Sequence, residues 1–485
     1  MDQLLKDLHF FFFYSLKEPW FFTEYSFLFC LSLFLFGYAF FTPKSQWKLA
    51  YLIAFSLFFY YKSSGPFLGL FVGVIIVDYF LARWINALEG IKKKVLLMGS
   101  VLYGLSFLLY FKYSNFVIEN LNFMFHTKFT TKQLFLPIGI SFYTFQSLSY
   151  LIDVYRKEIE PSKRILDYGF YMTFFPHLVA GPIVRAKDFL PQIKNPLTFD
   201  QGLLKESLFR ITTGLVKKLL IADFLGKYVD LVHDAPLGFS GMEHALSMYA
   251  YSFQIYFDFS GYSDIAIGIA LILGYRMKEN FFNPYTAENI TVFWRKWHIS
   301  LSLWLRDYIY IPLGGNRKGI VNMYLFLFLT MLIGGIWHGA NWKFIFWGCS
   351  HGLLLILHKL FFKPSGRTSK VQKVLGIIVT FHLVALLWVF FRASSFEAAF
   401  QSISAMVTNL NPMDLIGFCF ARPEIISLLL ASSFITFSAW SIKEKIINRV
   451  LSLPLYIWPI ILLVALQLIL QFRDNTIEPF IYFQF

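Results

Sequence analysis

Charge is scarce in this chain. Only 15% of its 485 residues are Asp, Glu, Lys or Arg, while 57% are hydrophobic; soluble domains carry roughly 25% charged and 45–50% apolar residues. That shortage excludes an ordinary water-soluble globule, which has too little interior to hide so much apolar surface. Acids are scarcer than bases, 29 against 43, leaving a formal charge of +14. The basic residues lie between apolar runs and no nucleic-acid module accompanies them, so the excess reads as membrane topology and no nucleic acid is expected as a partner. Only three cysteines occur, Cys30, Cys349 and Cys419, without the short paired spacing of a zinc or redox site. No metal site and no permanently bound cofactor are expected. Also missing are a P-loop, a GxSxG elbow and an HExxH pair, which sets aside nucleotide hydrolysis, serine hydrolase chemistry and zinc proteolysis. No internal repeat suggests a two-halved transporter, and no removable signal peptide is expected at the N-terminus.

What is abundant is phenylalanine, 60 residues, within a chain that is 20% aromatic and has a mean hydropathy of +0.57. Apolar runs recur at or slightly below the ~17–25 residues needed to cross ~30 Å of hydrocarbon. Twelve candidate spans follow: 22–41, 48–62, 66–83, 95–118, 134–152, 208–232, 244–273, 320–337, 342–358, 374–391, 424–441 and 451–471. Basic loops separate them: Arg83 with Lys92, Lys93 and Lys94; Arg156, Lys157, Lys163 and Arg164; Lys359, Lys363, Arg367, Lys370 and Lys373; Lys443, Lys445 and Arg449. With these loops inside, both termini and the Lys/Arg-poor stretch from Ala393 to Pro423 fall outside the cytoplasm. One multi-span membrane domain over 1–485 is the simplest organisation, with membrane lipid as its solvent.

Two segments do not fit crossing helices. Tyr168 to Gln192 is apolar but interrupted by Pro176, Gly181, Pro182 and Pro191, and it carries His177. Proline removes a backbone donor and turns the preceding residue away from helix, so a broken, re-entrant element is expected. Phe281 to Arg317, rich in Trp and Arg, is expected to dip into the protein from the cytoplasmic side. Within it, Phe293 to Asp307 reads as one amphipathic helix. Trp297, Leu301, Trp304 and Tyr308 share one face, and Arg295, His298, Ser302 and Arg306 share the other.

The polar residues inside apolar sequence are the candidates for chemistry, because ionisable groups in a membrane usually face a cavity or a partner. His338 lies in Gly334-Gly335-Ile336-Trp337-His338-Gly339-Ala340-Asn341-Trp342, where glycines permit close approach. An imidazole, with an ordinary pKa of about 6.5, suits proton abstraction near neutrality. A core histidine bonded to a carbonyl is the competing reading. Asp258 and Asp264, in YFDFSGYSD, need partners such as an arginine, a tyrosine hydroxyl or an imidazole, and read as structural polar residues together with His177. Their six-residue spacing places them on different helix faces unless the helix breaks near Gly261.

The stretch WRKWHISLSLWLRDYIYIPLGGNRKG at 294–319, followed by GGIWHGANW at 334–342, resembles the membrane-bound O-acyltransferase (MBOAT) superfamily. FYYKSSG at 59–65, LPIGISFYTFQSLSYLIDVYR at 136–156, FFPHLVAGPIVR at 174–185, YFDFSGYSDIAIG at 256–268 and PFIYFQF at 479–485 are similar to its bacterial alginate O-acetyltransferase branch. The resemblance implies an all-α polytopic transmembrane fold, with re-entrant helices around a central funnel, in a bacterial cytoplasmic (inner) membrane. It implies an O-acyltransferase using acetyl-CoA as donor substrate, with His338 and His298 as the catalytic histidines. Arg295, Trp297, Ser302, Trp337 and Asn341 would bind substrate. His338 would act as general base, or as a nucleophile through an acyl-histidine, and His298 would bind or polarise the thioester carbonyl. The acetyl group would pass to an extracytoplasmic partner of the SGNH type and on to a polysaccharide such as alginate, or to peptidoglycan. The alternatives are D-alanyl or other acyl transfer on the same fold, a transporter of an acyl donor or glycan, and a non-catalytic scaffold.

Overall fold

The computed structural model describes residues 11–15, 19–42, 45–179, 181–197, 200–361, 369–472 and 480–481. Lys363 and Arg367 of one basic loop, Ala180, and all of the terminal PFIYFQF except Phe480 and Ile481 lie outside them. The described residues contain helices and no strands. They form two compact units, residues 1–200 with 269–278, and 201–268 with 279–485.

Among the described residues, seven helices are long and apolar enough to cross a membrane: Phe67–Ala87, Gly90–Phe125, Gly241–Ile272, Ile320–His338, Trp342–Phe361, Lys370–Arg392 and Leu455–Phe472. An eighth span arises if Met413–Ala421 and Pro423–Phe437, which meet at 105°, count as one. Proline at the start of the second member removes the donor that would have continued the first. The other four expected spans are helical but fall short. Tyr25–Tyr38 has 14 residues and Ile140–Tyr155 has 16. Gln46–Ser64 carries Lys48 and Lys62 among polar residues. The helix expected at 208–232 runs from Gln201 to Asp234 through a π-helical turn, Val216–Ala222, and holds Arg210, Lys217, Lys218 and Asp223.

In the first unit, Ile140–Tyr155 is the buried core helix. It packs on Phe67–Ala87 and Gly90–Leu108, and a side chain at Gly104 would press on Leu148 at 3.3 Å. The Tyr168 hydroxyl donates to Asp78 at 3.2 Å, giving this carboxylate a partner inside a span. The expected re-entrant segment is broken into Ile165–Thr173, Phe175–Leu178 and Ala186–Lys194. Gly181 is required there, since a Cβ would sit 2.5 Å from His177 Cα. His177 is buried and its Nε2 donates to the Tyr171 carbonyl at 2.9 Å, with Phe174 and Phe189 around the ring.

In the second unit, Gly241–Ile272 is unbroken at Gly261 and meets the Gln201–Ala222 stretch through glycines. A Cβ on Gly214 would lie 2.6 Å from the Gly261 carbonyl, and one on Gly268 2.9 Å from the Ser207 carbonyl. Such small-residue crossings let membrane helices approach closely, where dispersion contacts replace the hydrophobic drive absent from lipid. The next pair, Ile320–His338 and Trp342–Phe361, uses the same device: a Cβ on Gly335 would meet the Phe344 carbonyl at 2.4 Å.

Candidate active site

The segment from Phe281 to Arg317 holds no helix long and apolar enough to cross a membrane, and Phe293 to Asp307 is not one helix. Ile290–Lys296 ends, Trp297 is extended with φ −99° and ψ 129°, and His298 takes a left-handed φ of 41° before Ile299–Leu305 begins. The two-faced grouping of Arg295 with His298 is therefore corrected. Left-handed backbone is costly for a residue with a Cβ and persists where the surroundings dictate it. Here Asn280 does so. Its backbone carbonyl accepts from Ile299 N at 2.8 Å, and its side-chain oxygen faces His298 Nδ1 at 3.1 Å and accepts from Ser300 Oγ at 2.8 Å. The Ser300 backbone N–H also donates to that side-chain oxygen at 3.3 Å, which fixes the orientation of the carboxamide, and the Asn280 amide nitrogen donates to Ser263 Oγ at 3.2 Å.

This geometry assigns the His298 tautomer. With an acceptor at Nδ1, that nitrogen carries the proton and Nε2 is the lone-pair nitrogen. Burial pushes the imidazole down to about 3, so it stays neutral at working pH. A neutral ring that donates from Nδ1 has no second proton with which to polarise a carbonyl. Phe259 stands edge-on to the ring at 4.6 Å.

His338 is the last residue of Ile320–His338 and is buried, as expected for a histidine at the mouth of a span. Trp347 and Phe391 pack edge-on to its ring at 5.0 and 5.3 Å. Trp337 contacts both histidines, 5.0 Å from His338 and 6.2 Å from His298 between ring centroids. The glycine-rich run brings this about: Gly335 packs on Gly348, Gly334 lies against Leu305, and a Cβ on Gly339 would strike the Phe344 ring at 2.1 Å. Trp297 is buried 5.0 Å from Trp388, which stacks on Trp347 at 5.5 Å, so a tryptophan layer backs both histidines.

The remaining expected site residues separate. Arg295 is exposed, unlike the fully buried His298. Ser302 donates from Oγ to the Trp297 carbonyl at 3.2 Å and holds the break in the chain. Asn341 accepts from Lys343 N at 3.0 Å through its side chain, and its carbonyl accepts from Phe344 N at 3.1 Å, so it shapes the start of Trp342–Phe361. Asp258 and Asp264 have lysines as partners, a residue type missing from the expected set. Lys218 reaches Asp258 at 2.6 Å and Asp223 at 2.6 Å, while Lys217 reaches Asp264 at 2.6 Å and Arg210 lies 3.6 Å from it. Residues six apart on an α-helix diverge by about 120°, and the π-helical turn Val216–Ala222 brings its two consecutive lysines to the two carboxylates without a break at Gly261. Asp258 also accepts from Ile481 N at 2.9 Å, and Phe480 packs on Phe259 at 5.2 Å.

Sequence reasoning missed Asn280, Ser263, Ser300, Lys217, Lys218 and His351. Asn280 lies in a loop with no periodicity to mark it, whereas consecutive lysines in an apolar run were a visible signal. His351 is buried and accepts from Trp294 Nε1 at 3.3 Å. Among the described residues no cluster of His, Cys, Asp and Glu is arranged to hold a metal ion.

Residues 162–372 match the membrane-bound O-acyltransferase family. The chain is 37% identical to the probable alginate O-acetylase of Pseudomonas putida, over 96% of this chain and 100% of that one. It is 38% identical to the peptidoglycan O-acetyltransferase of Helicobacter pylori, over 75% of this chain and 74% of that one. The teichoic acid D-alanyltransferase of Bacillus subtilis is 31% identical over 54% of this chain and 69% of its own length.

Proposed function

Because the chain belongs to the membrane-bound O-acyltransferase family, in the branch that includes the alginate O-acetylases, and is an O-acyltransferase with several membrane-spanning helices, we propose that it moves an acetyl group from cytoplasmic acetyl-CoA across the inner membrane for O-acetylation of an extracytoplasmic polysaccharide. The observation that carries this reading is the pair of buried histidines, His338 and His298, each in ring contact with Trp337. Alginate and peptidoglycan are the acceptor classes supported by the names of the similar proteins. An acetyl rather than a D-alanyl group is favoured because the acetylases are similar over most of the chain and the D-alanyltransferase over about half.

In the proposed reaction His338 takes the proton from an acceptor hydroxyl. The oxygen attacks the thioester carbonyl, the C–S bond breaks, and the CoA thiolate receives the proton from the imidazolium. Trp347 and Phe391 around His338 exclude water, so the thioester is transferred rather than hydrolysed. His298, accepting through Nε2, holds a substrate proton; this replaces the carbonyl-polarising role. Arg295, exposed on the basic side, meets the donor's phosphates, while Trp297, Trp337, Ser302 and Asn341 shape the site. A separate SGNH-type partner receives the acetyl group.

The test is acetyl release from radiolabelled acetyl-CoA by the purified full chain, with and without candidate partners, comparing wild type with His338→Ala at matched folding. Loss of turnover in the variant supports the proposal. A fully active variant, or wild type that neither binds nor consumes acetyl-CoA, overturns it.

A further inference from the structure

Gly241–Ile272, Lys370–Arg392 and the bent pair Met413–Ala421 and Pro423–Phe437 enclose a cavity of about 800 Å3, within the ~300–1,000 Å3 of small-ligand pockets. Its wall is aliphatic and aromatic, with Leu246, Phe253, Ile377, Phe381, Leu429 and Phe437 prominent. Of the polar side chains on it, Thr286 donates from Oγ1 to the Asn283 carbonyl at 2.8 Å, and His382 and Tyr249 bond within the wall. His382 donates from Nδ1 to the Ile378 carbonyl at 2.7 Å, and its Nε2 accepts from the Tyr249 hydroxyl at 3.0 Å. No charged side chain lines the cavity among the described residues.

We propose that this cavity binds one acyl tail of a membrane phospholipid. Val374, Ile378 and Leu430 both line the cavity and are exposed on spans whose outer faces meet hydrocarbon, so the wall is continuous with the lipid-facing surface. The 105° bend before Pro423 turns the second helix away from the first, and the chain leaves this volume to lipid. Water in a wall of this composition would find few hydrogen-bond partners. A tail entering from the bilayer exchanges one apolar setting for another, gaining dispersion contacts with the wall. The inner wall backs on the candidate site. Phe381 and Phe253 lie 5.2 and 6.3 Å from the Tyr285 ring, and the Tyr285 hydroxyl donates to the Ser252 carbonyl at 2.5 Å and accepts from Trp388 Nε1 at 3.1 Å. The tail therefore supports the aromatic layer behind His298 from the lipid side.

The experiment uses the full chain in nanodiscs containing phosphatidylethanolamine with a diazirine near the end of one tail, with adducts mapped by peptide mass spectrometry. Cavity residues such as Leu429 and Phe381 are expected to be labelled several-fold more than Leu463, an exposed residue of Trp458–Phe472. Cys419→Trp and Ser433→Trp, which fill the cavity, are expected to remove that excess while leaving Leu463 labelling unchanged. Labelling of the wild-type cavity no greater than at Leu463 overturns the proposal even if neither variant folds. An excess that survives both well-folded variants, or one produced only by a diazirine fatty acid and not by the phospholipid, overturns it as well.

Discussion

His298 and Asn280 form one unit: the imidazole Nδ1 lies 3.1 Å from the carboxamide oxygen, which also accepts from Ser300. Eighteen residues of sequence separate them, and the contact decides which imidazole nitrogen carries the proton. Asn280→Ala leaves a buried Nδ1–H without this acceptor, at a cost of about 1–3 kcal/mol. Acetyl transfer is expected to fall at least about tenfold, as for a lost partner that orients a functional histidine. The check is kcat and KM on well-folded protein: the drop belongs in kcat, with donor KM little changed.

The proposed base is tested more directly. His338→Ala is expected to lower kcat by about 10²–10⁴, the usual contribution of a positioned acid–base group. Single-turnover transfer from acetyl-CoA to the isolated partner measures it, and His338→Gln separates loss of the base from loss of packing against Trp347 and Phe391.

The Lys218 cluster predicts stability. Removing the lysine in Lys218→Met leaves Asp258 and Asp223 without their shared cation in a buried setting. A cost of about 3–5 kcal/mol is expected, read as a lower melting temperature in detergent. Because Asp258 also accepts from Ile481 N, Asp258→Ala is expected to speed hydrogen exchange at the Ile481 amide.

At Gly335, an added methyl meets a backbone carbonyl at 2.4 Å and the facing Gly348 Cα at 2.8 Å. Gly335→Ala must separate the two helices near His338, and overpacking of this kind costs about 1–3 kcal/mol. Lower thermal stability together with lost transfer activity is expected, whereas Gly73→Ala, with nothing near the added atom, leaves both unchanged.

Acid sensitivity follows from His298. Its folded value of about 3 lies below the unfolded value of about 6.5, so the unfolded chain binds more protons between these limits. The contribution of a neutral His298 is complete above about pH 6.5 and is lost as pH falls below it. Melting temperature is expected to drop from pH 7 toward pH 5, less steeply in His298→Gln, and an equal slope in the two proteins contradicts this origin.

How much was legible in advance depended on the range of the interactions. The spans that hold as long apolar helices, such as Ile320–His338 and Lys370–Arg392, were readable because hydrocarbon thickness and backbone hydrogen bonding demand an apolar helix of that length whatever surrounds it. The interruption at Pro176 and Gly181 was readable for a local steric reason. The amphipathic period across Phe293 to Asp307 misled because the Asn280 contacts, long-range in sequence, override local helical preference and turn the chain at His298.

The sequence by itself determined that this is a polytopic helical membrane protein, that it resembles the O-acyltransferases, and that His338 and His298 are the residues to examine. Only the tertiary structure decided that Trp337 contacts both histidines, that Asn280 sets the proton on His298, that Lys217 and Lys218 hold the two intramembrane aspartates, and that Arg295 stays outside. Composition and helix length are set by the solvent each residue must face, which local sequence records. The pairing of buried polar groups depends on which helices can approach at glycines such as Gly214, Gly261, Gly335 and Gly348, and that is settled only when the packed helices meet.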